Sequence, residues 1–182
     1  TITMTVTQEG NEVGVEVRDD GAGLNLARIR QRGEERGILP PGHTASDAEG
    51  MDHVMAEMDR TPAGFIFANL VDFDTQYGHR NDVPGYAANL ERFDARLADL
   101  LPRLRPDDLL IITADHGNDP STPSTDHARE YVPILATGAR VRPHTALGTR
   151  QTFADVAQTL AANFSLGTLA HGTSFLPEIA AR

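Results

Sequence analysis

The stretch GFIFANLVDFD, residues 64–74, is an almost continuous apolar run that ends in two carboxylates. Such a run suits a strand buried on both faces, with its polar residues gathered at the C-terminal end. DLLIITADHG, residues 108–117, repeats the plan and ends in Asp115 and His116. YVPILATG, residues 131–138, is a third candidate strand. Helical spacing lies between and around them. MDHVMAEMD at 51–59 forms a short helix. In residues 83–104, Tyr86, Leu90, Phe93, Leu97, Leu100 and Leu101 recur on one helical face, and TFADVAQTLAANF at 152–164 gives another helix. Strands alternating with helices predict an α/β sheet with at least some parallel pairs.

Upstream the pattern changes. Residues 1–8 alternate Thr with Ile2, Met4 and Val6, and VGVEV at 13–17 alternates again across a Gly10–Asn11 turn signal. This predicts a β-hairpin. DDGAGLN at 19–25 breaks the alternation, and residues 25–36 read as a helix with Asn25 as N-cap and Gly37 as terminator. LPPGHTASDAEG at 39–50 reads as a linker, which places a domain joint near Glu49–Gly50.

The 182 residues are 40% hydrophobic, enough for a packed core. The net charge is −10 and every basic residue is an arginine. No basic run offers a phosphate-neutralising surface, which argues against nucleic-acid binding. The absence of cysteine excludes disulfides and thiolate metal sites. No apolar run reaches the roughly 18 residues of a membrane span, and the N-terminus carries no signal pattern. A cytoplasmic protein without membrane or nucleic-acid partners is the expectation.

In open α/β sheets ligands bind beyond the C-terminal ends of the strands. There the first run delivers Asp72, Asp74 and His79, the second Asp115 and His116, and the loop after it Asp126 and His127. Carboxylate and imidazole clusters suit a divalent ion such as manganese, zinc or iron. Five or six such residues exceed the four of a structural zinc and fit a two-metal site that handles a phosphoryl group. A single Asp-His pair is ordinarily a solvated turn, and Asp126 alone reads as a turn cap. Two apolar runs that both end in Asp/His clusters are harder to explain by packing, because desolvated carboxylates are costly unless paired or metal-bound. His53, His144 and His171 lack such company and read as surface histidines.

NLVDFDTQYGHRNDVPGYAANLERFD, the segment TADHGNDPSTPSTDHAREYVPIL and the closing GTSFL together resemble the phosphopentomutases of the alkaline phosphatase superfamily. The resemblance covers about residues 50–182. It implies part of an alkaline-phosphatase-like three-layer sandwich, a cytoplasmic isomerase (an intramolecular phosphotransferase) of nucleotide metabolism, and a pentose phosphate substrate, ribose or deoxyribose. It also implies two Mn²⁺ ions in the intact family. Asp74, His79 and His127 would hold one metal, and Asp115 and His116 the other. Asp72 is a reserve ligand, two residues before Asp74 and on the same side of an extended chain. Arg80 and Arg129 are candidates for substrate phosphate. The family's threonine nucleophile, first aspartate ligand and cap domain have no counterpart among these residues, so no catalytic nucleophile is identified and one complete metal site is expected. Self-association through an exposed sheet edge is expected with it.

NEVGVEVRDDGAGLNLARIRQRGEERGILP resembles instead the ATP-binding domain of chemotaxis-type histidine kinases, of the GHKL superfamily. Asp19, Gly21 and Gly23 match its D-x-G-x-G box and would be the nucleotide-binding residues. The chain therefore reads as a chimeric fragment, 1–49 kinase-like and 50–182 phosphopentomutase-like. The rival readings are a nucleotide-binding kinase fragment and a metal-dependent phosphohydrolase.

Overall fold

The computed structural model describes the strand backbones of residues 3–9 and 12–18 and residues 44–181. The chain divides into two compact units, Thr1–His43 and Thr44–Arg182. In the first, β1 (Thr3–Glu9) pairs antiparallel with β2 (Glu12–Arg18), from Thr3 opposite Arg18 to Glu9 opposite Glu12. This is the expected hairpin. Its turn, the predicted helix over 25–36 and the D-x-G-x-G residues Asp19, Gly21 and Gly23 lie outside the described residues.

The second unit mixes helices with a small antiparallel sheet, in keeping with part of an alkaline-phosphatase-like domain. Helix α1 spans Asp47–Arg60, so it starts inside the stretch expected to be linker. Ser46 caps it, accepting from Glu49 N–H, while the Glu49 carboxylate accepts from Ala45 N–H at 2.6 Å. This is the S-x-x-E signature of a helix start. The C-terminal end of α1 is held by Arg105, whose guanidinium donates to the carbonyls of Met58, Thr61 and Pro62. A cation there answers the orphan carbonyls and the negative end of the helix dipole.

Helix α2, Val83–Leu100, starts at Asp82, which accepts from Gly85 N–H at 2.9 Å, with Pro84 in the first turn. The apolar stripe of α2 packs on α1. Met51, Met55 and Leu100 are buried, with Phe93, Leu97, Leu70 and Leu110 against them. Leu110 opens β3 (Leu110–Thr113), which pairs with β4 (Ile134–Thr137), Leu110 opposite Thr137. A second buried centre lies at the C-terminal end. Helix α3 (Ala154–Asn163) and the turn α4 (Leu176–Ile179) enclose Phe175 and Thr159, and the Thr159 hydroxyl donates to Asp155 O and accepts from Phe175 N–H. No helix among the described residues is long and apolar enough to cross a membrane.

Two expectations change. The β3–β4 pair is antiparallel, not parallel. The connection from 114 to 133 contains no helix, the usual crossover that returns a strand in parallel. The run 64–71 is not a strand either. Residues 64–70 have no ladder partner among the described residues, and Phe65 and Phe67 are 58% and 79% exposed. Apolar character suits a buried strand but cannot make one without neighbours to bond to.

Candidate metal centre

After residue 70 the chain tightens. Phe73–Tyr77 forms one π-helical turn, and Gly78–Arg80 a 3₁₀ turn that ends at Asn81 in a left-handed conformation, φ 51°. Single π turns recur at functional sites because they redirect side chains that an α-helix would fan outward. Here the coil turns Asp74 inward and Asp72 away. The Asp72 carboxylate accepts from Asp47 N–H at 2.8 Å, and the Asp47 carboxylate accepts from Asp72 N–H at 2.9 Å. Asp72 is thus a structural partner of α1 rather than a reserve ligand, because residues two apart share a side only in an extended chain.

β3 carries His116 to the same place. Gly117 then accepts Ala128 N–H at 2.9 Å in an isolated antiparallel bridge, which returns the loop beside β3 and sets His127 on His116, ring centroids 3.7 Å apart. Only glycine permits this approach: a Cβ on residue 117 would lie 2.5 Å from Ala128 O and 2.6 Å from Glu130 N.

Asp74 is the hub. Its Oδ2 lies 3.2 Å from His79 Nε2, and its Oδ1 lies 3.3 Å from His127 Nε2 and 3.9 Å from His116 Nε2. His79 and His127 bring their Nε2 atoms to 3.2 Å of each other. The Nδ1 of His79 meets Thr125 O, which can only accept. That nitrogen must therefore carry the proton, and the lone pair of Nε2 faces inward. Two ligand atoms about 2.1 Å from one divalent ion, at angles near tetrahedral or octahedral, lie about 3.0–3.4 Å apart. The separations among Asp74, His79 and His127 match, and the 3.9 Å from Asp74 Oδ1 to His116 Nε2 is longer. Buried Asp74 Oδ1 has no hydrogen-bond partner, an unpaired acceptor that a cation would satisfy. Asp74, His116 and His127 alone offer three ligand atoms within 4.8 Å of one another. The residues present fit a divalent ion.

His116, expected to hold a second metal with Asp115, lies between the two expected ligand sets: its Nε2 is 3.6 Å from the Asp115 carboxylate and 3.9 Å from Asp74 Oδ1, and its ring stacks on His127. The Asp115 carboxylate is 68% exposed. Asp126 is exposed, and so are His53, His144 and His171. Sequence reasoning missed Asp47 and Asn89, which are buried behind the π turn, and Tyr86 on α2. Tyr86 packs edge-on to Phe73, and burial first, then the negative charge of Asp74, pushes its phenol above the ordinary tyrosine value. Burial likewise raises the Asp47 carboxyl, against hydrogen bonds from Asp72 N–H and Asn89 that favour the charged form. The only written sign of Asp47 was its place in the first turn behind the Ser46–Glu49 cap.

Comparison with known proteins fits this geometry. The chain is 52% identical over 144 residues to a phosphopentomutase of Caldanaerobacter subterraneus subsp. tengcongensis, covering 79% of this chain and 37% of that protein. It is 51% identical over 144 residues to the phosphopentomutase of Acetivibrio thermocellus, with the same coverage. With that of Anaeromyxobacter dehalogenans it is 47% identical over 175 residues, 96% of this chain and 43% of the relative. The chain thus spans about two fifths of the curated relatives it matches. A match of 144 residues is longer than residues 50–182, so the likeness begins before the predicted joint near Glu49–Gly50. The Metalloenzyme superfamily matches residues 31–168, a span that contains every side chain of the cluster. By that match and by its phosphopentomutase relatives, the chain belongs to the Metalloenzyme superfamily.

Proposed function

We propose that this chain is the metal-holding part of a phosphopentomutase, the isomerase that interconverts pentose 1-phosphates and 5-phosphates, and that its ion is Mn²⁺. The family implies a divalent metal; Asp74, His79, His116 and His127 would hold it, with exposed Asp115 beside His116 free to join. The observation that carries the reading is the unpartnered Asp74 Oδ1 facing imidazole nitrogens at metal-ligand spacing. A bound divalent ion would supply positive charge to neutralise a phosphoryl group in transfer.

The chain's own residues do the rest. Thr125 O fixes the tautomer of His79. The stacked rings of His116 and His127 hold each other's tilt. Arg80, next to His79 in the chain and tied by its Nε to Thr75 O at 3.2 Å, would meet the anionic substrate in this reading. The nucleotide-binding reading through Asp19, Gly21 and Gly23 and the phosphohydrolase reading gain no support from the comparisons.

The test is titration of the purified chain with Mn²⁺, followed by calorimetry and by the electron paramagnetic resonance signal of the free ion. About one equivalent should bind tightly, and His127→Ala should weaken it about a hundredfold. Stoichiometric binding that survives both Asp74→Ala and His127→Ala would overturn the assignment. Competition with Zn²⁺ and Mg²⁺ ranks the ions, and a preference for Mg²⁺ would exclude this imidazole-rich set.

A further inference from the structure

The π turn that carries Asp74 is gripped from behind by α2. Arg92 donates from its guanidinium to two acceptors: the Tyr77 hydroxyl at 2.9 Å, at the end of the turn, and Asn89 Oδ1 at 3.1 Å. Because arginine can only donate, it dictates which way the Asn89 amide faces. Asn89 Nδ2 then donates to Asp47 Oδ2 at 2.8 Å, and Asp47 Oδ1 accepts from the N–H of Asp72, at the head of the turn. One guanidinium thus reaches both ends of a five-residue turn, directly at Tyr77 and through two buried side chains at Asp72. Asp74 sits between the two anchored ends.

We propose that Arg92, acting through Asn89, Asp47 and Tyr77, is a positioning residue that fixes the π turn and so aims Asp74 at the imidazole cluster. The inference rests on the metal-binding reading above. Every link begins on an N–H donor and ends on an amide, carboxylate or hydroxyl oxygen, and two of them converge on Asp47. Asparagine in place of Asp47 would break the chain of bonds, because its NH₂ would face a donor in either orientation, the Asn89 NH₂ or the Asp72 N–H. Arg96, one helical turn on, is the natural control. It ties α2 to α1 by bonding Asp52, and it also pairs with Asp99, but it does not touch the π turn. Both arginines are tied to neighbouring side chains; only Arg92 reaches Asp74's segment.

The experiment compares Arg92→Met, Tyr77→Phe and Arg96→Met with the unmodified chain, well below the unfolding temperature of each. Mn²⁺ affinity is read by calorimetry, and amide hydrogen exchange of the metal-free protein is read across residues 72–80. Arg92→Met should weaken Mn²⁺ about tenfold or more, in the range seen when a ligand loses its supporting partner, and should speed exchange across the turn. Tyr77→Phe should do the same to a smaller degree, and Arg96→Met should leave both readings unchanged. Equal losses in Arg92→Met and Arg96→Met, or unchanged exchange across 72–80 in Arg92→Met, would overturn the proposal. If the unmodified chain binds no Mn²⁺, the metal-binding reading fails by itself, and the exchange measurement still decides whether Arg92 fixes the turn.

Discussion

Replacing Gly117 with alanine should dismantle the metal cluster without touching a ligand. The new Cβ would meet Ala128 O at 2.5 Å and Glu130 N at 2.6 Å, both backbone atoms that cannot rotate aside. Ordinary carbon–oxygen contact needs about 3.4 Å, so the returning loop must retreat by about 0.9 Å. His127 precedes Ala128 and moves with it. Metal–ligand distances tolerate about 0.2 Å, so a retreat of this size removes His127 from an ion that Asp74 and His116 still hold. Loss of that ligand should weaken Mn²⁺ by about a hundredfold, or about 2.7 kcal/mol. Overpacking should also cost about 1–3 kcal/mol of folding stability. Calorimetric Mn²⁺ titration gives the first figure, urea unfolding the second. In a His127→Ala background, Gly117→Ala should weaken binding no further, since both act through one side chain. A folded Gly117→Ala protein that binds Mn²⁺ within threefold of the unmodified chain would refute the reasoning.

Leu100→Ala, at 2% exposure in the α1–α2 core, should lower stability by about 2–4 kcal/mol, measured by urea midpoint, while leaving Mn²⁺ affinity unchanged. His79→Gln removes the inward Nε2 lone pair and should weaken Mn²⁺ by at least about tenfold. Asp47 gives a pH signature. Burial raises its carboxyl in the folded chain, so the folded state holds the proton more tightly than the unfolded one. Its contribution to stability is therefore fullest below the unfolded value, about 3.9, and declines as pH rises through the folded value. The stability gap between the unmodified chain and Asp47→Ala should be wider at pH 4 than at pH 7 by urea unfolding, and the reverse order would contradict the burial argument. Phe67→Ser should reduce light scattering at high protein concentration, since Phe67 is 79% exposed and has little packing to lose.

Much of the site was legible as residue types at the ends of apolar runs. Asp74, His79, His116 and His127 were each visible in the sequence, and all stand in the cluster. Their convergence on one pocket was expected as well; the direction of Asp72 was not, because it depends on a turn that sequence spacing read as extended. A π turn has no strong residue signature, so Asp72 and Asp74 looked equivalent until one turned back onto Asp47. The start of α2 was legible to the residue, since its stripe is long and its cap is Asp82 followed by Pro84, while the end of the expected run, Leu101–Arg103, forms a 3₁₀ turn. The start of α1 was hidden by prolines and glycines upstream, although Ser46-x-x-Glu49 announced it. The antiparallel β3–β4 pair had a sign too, because a helix-free connection disfavours a parallel return.

The exposed segment around Phe65–Phe67 separates two properties that usually travel together. The Asp74 turn is braced by α1, α2 and the buried Asn89 amide, so its local geometry does not depend on Phe65 and Phe67. Colloidal behaviour does. In a crowded compartment, quality-control factors that bind exposed greasy peptides would treat this chain as unfinished goods even while its imidazoles stand ready.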